Sequence, residues 1–313
     1  MISKRFQIDE ENAHKRIDIF LSHEFDSISR GIVQELIVKG EVLVNDKVTK
    51  RNYKLKTGDL VDITINLEIE SNDEAEDIEL DIVFENKDFL IINKQANLTV
   101  HPGAGQKDGT LINGLLYKYP KQRDIPRYGV VHRLDKDTSG LMVVAKSLKA
   151  HTLLTEMIQE RVIKRNYYAL VHGSPIAGMT IDKPIGRHPK NRLLFCVKEG
   201  GREAITHFKV KTKFSNFSLL DVSLETGRTH QIRVHLKHLG HPIAGDAQYS
   251  NIKQWKNSSP DEVEAVASLG RQALHAYSLA FEFEGKAYEF IADTPEAIPV
   301  SYTHLTLPTI LLV

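Results

Sequence analysis

Between residues 61 and 81 the chain reads VDITINLEIESNDEAEDIELD, which holds nine carboxylates and no base. So many like charges cannot be gathered inside an apolar core, so the stretch marks a surface or a junction. It is expected to close a small domain and continue as a solvated linker over 67–81. The whole chain of 313 residues has 41 bases and 41 acids. A net charge of zero would ordinarily count against a nucleic-acid partner, because phosphate binding needs an excess of Lys and Arg. Here the neutrality is a sum of unlike parts. Residues 1–60 carry 11 bases and 10 acids (+1), residues 61–81 carry −9, and residues 82–313 carry 30 bases and 22 acids (+8). Two basic pieces remain once the acidic stretch is set aside, so a nucleic-acid partner stays open.

The lone Cys196 has no partner for an intramolecular disulfide or a zinc pair, which favours a reducing compartment. The start, MISKRFQIDEENAHKR, lacks the apolar core of a signal peptide, and no apolar run approaches the ~20 residues that span a bilayer. A soluble, cytoplasmic monomer is expected, with no membrane association. The 14 His are scattered and no HExxH spacing occurs, so no metal is expected. No Gly-x-Gly-x-x-Gly or Walker loop marks a cofactor site, and Gly103-Ala-Gly105 is too short a signal to use.

Ile32, Val33, Leu36 and Ile37 in SRGIVQELIV fall on one helical stripe, with Ser29 as cap and Gly40 as terminator. EVLVNDKVT then alternates around Asn45-Asp46 as a hairpin, and Gly58-Asp59 leads into the strand LVDITI. Between Lys39 and Lys56 there are six bases and two acids, which suits phosphate contact or an ordinary Lys-rich surface equally. After the acidic stretch the texture changes to short apolar strands: DFLIINK, GLMVVAKS, NYYALVHG, THFKVKTKF, FSLLDVSLETG and AYEFIAD. Helical patterns lie between them, around His151–Arg161 and Thr229–Leu239. Strands following strands with irregular helices predict an α+β fold with a mixed, largely antiparallel sheet and flanking helices.

The densest polar cluster is YGVVHRLDKDTSGLMVVAK, where His132, Arg133, Asp135, Asp137, Thr138, Ser139 and Gly140 separate two apolar segments. A loop held by flanking strands can present reactive groups without disturbing a core. From spacing alone a solvated turn reads as well, because Ser139 has no activating base beside it. Near the other end, Ile232, Leu236 and Leu239 share one helical face and His230, Arg233 and Lys237 another.

HRLDKDTSGL resembles the signature of the RluA-type pseudouridine synthases, His-Arg-Leu-Asp, two variable residues, then Thr-Ser-Gly. Further similarity runs in the family's order through DFLIINKQANLTVHPG, GTLINGLL, KRNYYALVHG, KPIGRHP, TGRTHQIRVHLKHLGHPIAGD and LHAYSLAFEF, over about residues 80–295. The pattern KRIDIFLSHEF to LKTGDLVDI resembles the small RNA-binding domain named after ribosomal protein S-four, through Arg16, Asp18, Ser29, Arg30, Gly40, Asn45, Gly58 and Asp59. The resemblance implies a small α/β RNA-binding domain at 14–66, the linker at 67–81 and a catalytic domain at 82–297. Gln95 stands where the family usually has Pro, and SYTHLTLPTILLV at 301–313 matches nothing expected of the family.

The implied reaction breaks the N1–C1′ bond of a uridine, turns the base and joins C5 to C1′. It needs no redox step or group donor, so no cofactor is expected. Asp135 would be the essential carboxylate, by attack on C1′, addition to the uracil ring or removal of a ribose proton, three routes left open. An enclosed carboxylate needs a cation beside it to act in ionised form. Arg233 matches the family position that supplies one. Tyr167 matches the active-site tyrosine, whose ring can stack on an extruded uracil and whose hydroxyl can help remove the C5 proton. Tyr168 would point to the opposite face. Arg133 matches the arginine that fills the place of the flipped nucleotide. His132, Arg228 and Arg187 are further expected RNA contacts, with Arg30 and Lys39 in the small domain; His188 is held with them. The implied partner is RNA, ribosomal RNA before transfer RNA. Two other readings are a non-catalytic RNA-binding or ribosome-assembly factor on the same scaffold, and a glycosidase using Asp137 as second carboxylate.

Overall fold

The structure is a computed structural model that describes residues 2–25, 30–65, 73–103, 106–191, 193–250 and 258–293. Ser29, Gly105, residues 67–72 of the expected linker, residues 294–297 of the expected catalytic domain and the tail 301–313 lie outside the described residues. The chain divides into two units, Met1–Glu70 and Ser71–Val313.

In the first unit, β1 (Ile2–Gln7), β2 (Val42–Val44), β3 (Lys47–Val48) and β4 (Leu60–Ile65) form an antiparallel sheet in the order β1-β4-β2-β3. The helices α1 (Ile17–Glu24) and α2 (Arg30–Lys39) share a core with it through Ile17, Leu21, Val33, Ile37, Val42, Val61 and Ile63. Asn45 and Asp46 both take positive φ, 50° and 62°, the backbone that a two-residue hairpin turn requires. β1 lies before the expected boundary at residue 14. Its Arg5 is balanced across the strands by Asp62 at 2.6 and 2.9 Å.

Asp18 joins the two helices. It is fully buried and accepts from Arg16, Arg30 and Gln34 at 2.6–3.0 Å. Burial works against its charge, but these donors outweigh it and bring its pKa from 3.8 to about 2. A depressed carboxylate stabilises the fold above its unfolded pKa and ceases to as pH falls through the folded one. Amide exchange in α1 and α2 of the full chain should therefore accelerate as pH drops from 3.8 towards 2. Asp18→Asn should accelerate it already at neutral pH, by about 2 kcal/mol of opening free energy.

The second unit holds the strands β5 (Ile82–Glu85), β6 (Phe89–Lys94), β7 (Ser139–Ala145), β8 (Lys164–His172), β9 (Met179–Asp182), β10 (Ile185–Arg187), β11 (Phe195–Val197), β12 (Ile205–Lys213), β13 (Phe217–Leu224), β14 (Leu274–Phe283) and β15 (Lys286–Ile291). Nine of them form one sheet, β5-β6-β7-β14-β8-β13-β12-β9 with β15 on β14, and β10 pairs β11 apart from it. Every pairing is antiparallel except β7 with β14. This is the expected mixed, largely antiparallel sheet.

Its centre is buried on both faces, so β6 and β7 read as continuous apolar runs. Leu90, Ile92, Met142 and Val144 face one core with α3 (Leu111–Lys118), α5 (Gln231–His238) and α6 (Pro260–Ala267). Phe89, Ile91, Leu141 and Val143 face the other with α4 (Leu148–Gln159). Residues 61–65 of the acidic stretch belong to β4 of the first unit, and residues 73–81 lie along the second unit instead of hanging free. Ile78 and Leu80 turn inward, and Gly114 lets them approach, since a Cβ there would stand 3.1 Å from Ile78 and 3.2 Å from Leu80. The acids meet donors: Asp73 accepts from Tyr128, Glu76 from the Gly109 amide and Asp81 from Asn93. Alternation of apolar and acidic residues over 77–80 is what allows it.

Candidate active site

The loop between Val130 and β7 is fixed residue by residue. His132 Nε2 accepts from the Val143 amide, Thr138 Oγ1 accepts from Gln272 at 2.7 Å, and Ser139 Oγ lies 2.9 Å from His275 Nδ1. Gly140, at φ 117°, abuts β14 so closely that a Cβ would sit 2.2 Å from the Ala276 carbonyl. Leu134 is buried in the core. Lys94, at the end of β6, is 1% exposed, and its three N–H groups reach the carbonyls of Gln95, Leu98 and Lys136 at 2.7–3.0 Å. Burial pulls its pKa down to about 7, against the pull of Asp135 and Asp137. These anchors leave Arg133 and Asp135 facing outward.

Asp135 is met from the other side by α5. Arg233 Nη1 donates to Asp135 Oδ2 at 3.0 Å, while Nε and Nη2 grip Asp246 at 2.7 and 2.9 Å. Nη2 also donates to Gln248 Oε1 at 2.7 Å, and the Tyr249 ring lies 4.8 Å from the guanidinium carbon. Asp246 itself is buried and also accepts from the amides of Gln248 and Tyr249. Burial opposes the charge of Arg233, yet the bonds to Asp246 and Asp135 hold its pKa above the ordinary arginine value. The bidentate grip needs the planar fork of an arginine.

Tyr167 lies on β8, 5% exposed, within reach of the charges of Asp135 and Arg165. Burial pushes its phenol pKa up. Tyr168 points to the other face, stacked on Tyr277 with ring centres 3.9 Å apart. Arg233 thus bonds Asp135, and Tyr167 lies within the field of the same carboxylate.

Other expected residues fall differently. His132, expected to contact RNA, is 9% exposed and spends Nε2 on the Val143 amide, which ties the loop to β7. Its pKa falls to about 3 through burial and the nearby Arg165 and Arg127. His230 is not on the helix with Arg233 but precedes it with left-handed backbone, φ 57°, and its Nδ1 lies 2.8 Å from the Tyr249 hydroxyl. α5 is buried almost all round, so a two-faced helix was the wrong expectation. Arg133 is exposed. Arg228 donates to the Glu203 carbonyl and Arg187 lies over Phe195. His188 Nδ1 accepts from the Lys190 and Asn191 amides. In the first unit Arg30 pairs with Asp18, and Lys39 is exposed at the end of α2. Sequence reasoning missed Lys94, Arg127, Arg165 and Asp246; for Asp246 the signal was a single acid inside the apolar run HPIAGDA.

Among the described residues no group of three His, Cys, Asp or Glu could hold a metal ion, and no helix is long and apolar enough to cross a membrane. Fold and cluster together define an α+β protein whose open loop presents one carboxylate held by a buried arginine. The RNA pseudouridylate synthase family matches residues 88–238, and the S4 domain matches residues 15–61. Ribosomal large subunit pseudouridine synthase D of Escherichia coli K12 is 45% identical over 293 residues, 92% of this chain and 90% of that protein. The protein of the same name from Vibrio cholerae is 43% identical over 286 residues, 90% and 88% of the two chains. The structure of human RNA Pseudouridylate Synthase Domain Containing 1 superposes with a TM-score of 0.58 at 26% identity, covering 75% of this chain and 91% of that one. The chain belongs to the RluA-type RNA pseudouridylate synthases and is an isomerase.

The geometry of Lys94 carries a prediction. Lys94→Met removes three hydrogen bonds beneath the loop without adding bulk, so turnover should fall about tenfold through misplacement of the carboxylate. Single-turnover kinetics should show this loss with RNA affinity within about twofold of wild type, because no RNA contact is removed.

Proposed function

We propose that this chain isomerises specific uridines of large-subunit ribosomal RNA to pseudouridine, with Asp135 as its essential carboxylate. The observation that carries this reading is the single guanidinium of Arg233 shared between Asp135 and the buried Asp246. Arg233 takes Oδ2 and leaves Oδ1 to the substrate. The choice of large-subunit RNA is supported by the names of the bacterial relatives. Transfer RNA is the alternative substrate.

A paired uridine is unreachable, so the nucleotide must be flipped out at a cost of a few kcal/mol. Exposed Arg133 would fill its place, and the ring of Tyr167 would stack on the extruded uracil. Because burial raises the Tyr167 pKa, its phenol stays protonated at neutral pH and would relay the C5 proton as a hydroxyl instead of removing it as a free phenolate. Arg187 and Arg228, with Arg30 and Lys39 of the first unit, would contact the backbone. The isomerisation is redox-neutral and takes no group donor, so its chemistry calls for no redox cofactor or group carrier.

Carbodiimide-based pseudouridine mapping of ribosomal RNA treated with the purified protein tests this. Wild type should yield product at a discrete uridine, and Asp135→Asn should yield none while still binding. Tyr167→Phe should keep binding and slow product formation about a hundredfold. An active Asp135→Asn would remove Asp135 from its role; wild type that binds every RNA offered and modifies none would favour the non-catalytic reading.

A further inference from the structure

Arg127 departs from the usual rule that a buried arginine is paired with an acid. It is enclosed for the most part, and its Nη2 donates to His101 Nε2 at 3.1 Å. His101 is neutral there, since burial, with Arg127 and Arg133 nearby, drives its pKa down to about 3. The charged group that weighs on Arg127 is Arg133, another cation, and no carboxylate among the described residues bonds it. Arg165 repeats the pattern. It is 6% exposed, its Nε has no hydrogen-bond partner, and its Nη1 lies 2.9 Å from where a Gly227 Cβ would stand. Buried His132 lies within the field of both arginines.

The backbone holds Arg127 in place against its preference. Arg127, Tyr128 and Gly129 have φ of 52°, 56° and 81°, three successive left-handed residues in a position where one non-glycine is uncommon. The run is pinned on each side. Tyr128 OH donates to Asp73 at 2.6 Å, Gln122 Nε2 donates to the Tyr128 carbonyl at 2.9 Å, and a Cβ on Gly129 would stand 2.0 Å from the Ala145 carbonyl. Strain of this kind persists only where its surroundings over-determine it, and it clusters at sites of function.

A largely enclosed guanidinium that no acid bonds, with a second cation nearby, disfavours the free protein, and an anion relieves that penalty. We propose that Arg127, oriented by His101 and assisted by Arg133, is a seat for one RNA phosphodiester beside the flipped uridine. A diester oxygen pair suits the arginine fork, and every nucleotide carries one. The inference rests on reading the Asp135 loop as the uridine site, because Arg133 belongs to that loop and to this cluster.

The test compares wild type, Arg127→Gln and Arg127→Lys on a large-subunit ribosomal RNA transcript. It adds a synthetic fragment around the modified uridine in which single phosphates are replaced by neutral methylphosphonates. Arg127→Gln should weaken binding about tenfold near physiological salt and flatten the slope of log affinity against log salt by about 0.7 to 0.9, one phosphate contact. Arg127→Lys, which keeps the charge and loses the fork, should restore the slope and part of the affinity. One methylphosphonate position next to the uridine should weaken wild type and have no effect on Arg127→Gln. An unchanged slope, or a base-dependent loss of affinity with the slope intact, would overturn the proposal. If Arg127→Gln does not fold, wild type insensitive to every flanking methylphosphonate overturns it equally. Absence of product in the wild-type arm would instead count against the parent reading.

Discussion

One guanidinium, that of Arg233, joins two carboxylates that come from different parts of the chain. Asp135 arrives on a loop locked to the sheet through His132, Lys94, Thr138 and Ser139. Asp246 arrives just beyond α5 and is itself saturated by backbone amides. With Asp246 holding two of its nitrogens, Arg233 has little freedom left, and Asp135 is aimed by an element that does not move with it. Removing one partner of such a buried set leaves an uncompensated charge, which costs about 3–5 kcal/mol in comparable proteins. The rigidity of the two-faced sheet is what makes this precision possible, since β7 and β14 clamp both ends of the loop.

Much of this was legible in the residues. HRLDKDTSGL and RTHQIRVH marked the two halves of the site, and the alternation in NYYALVHG placed Tyr167 and Tyr168 on opposite faces. What could not be read was which polar residues turn inward. His132 stands beside Arg133 in sequence, yet one is buried on a backbone amide and the other exposed. Lys94 ends an apolar strand and would pass for a solvated lysine until its three carbonyl partners are seen. α5 was expected to have a polar face, but burial of Arg233 and His235 is satisfied by partners remote in sequence, Asp135 for one and Thr206 and Lys183 for the other. Periodicity reports polarity and not satisfaction, so it fails where buried polar groups are fully bonded.

The acidic stretch also looks different in three dimensions. Its net charge conceals two basic segments, and its residues 73–81 cover apolar surface of the second unit while their acids meet amides and a hydroxyl. Anchored this way, it also braces Tyr128 and the strained turn behind Arg127. Neutral overall charge is therefore compatible with an RNA enzyme whose cations are concentrated around one loop.

The central claim is that Asp246 and Arg233 act on Asp135 as one unit. The most direct measurement is a double-mutant cycle on the single-turnover rate, using Asp246→Asn, Arg233→Lys and the pair together. If the account is right, the double variant should be little worse than the more damaged single, with a coupling of about 1.4 kcal/mol or more. Rates that multiply independently, with no coupling, would contradict it.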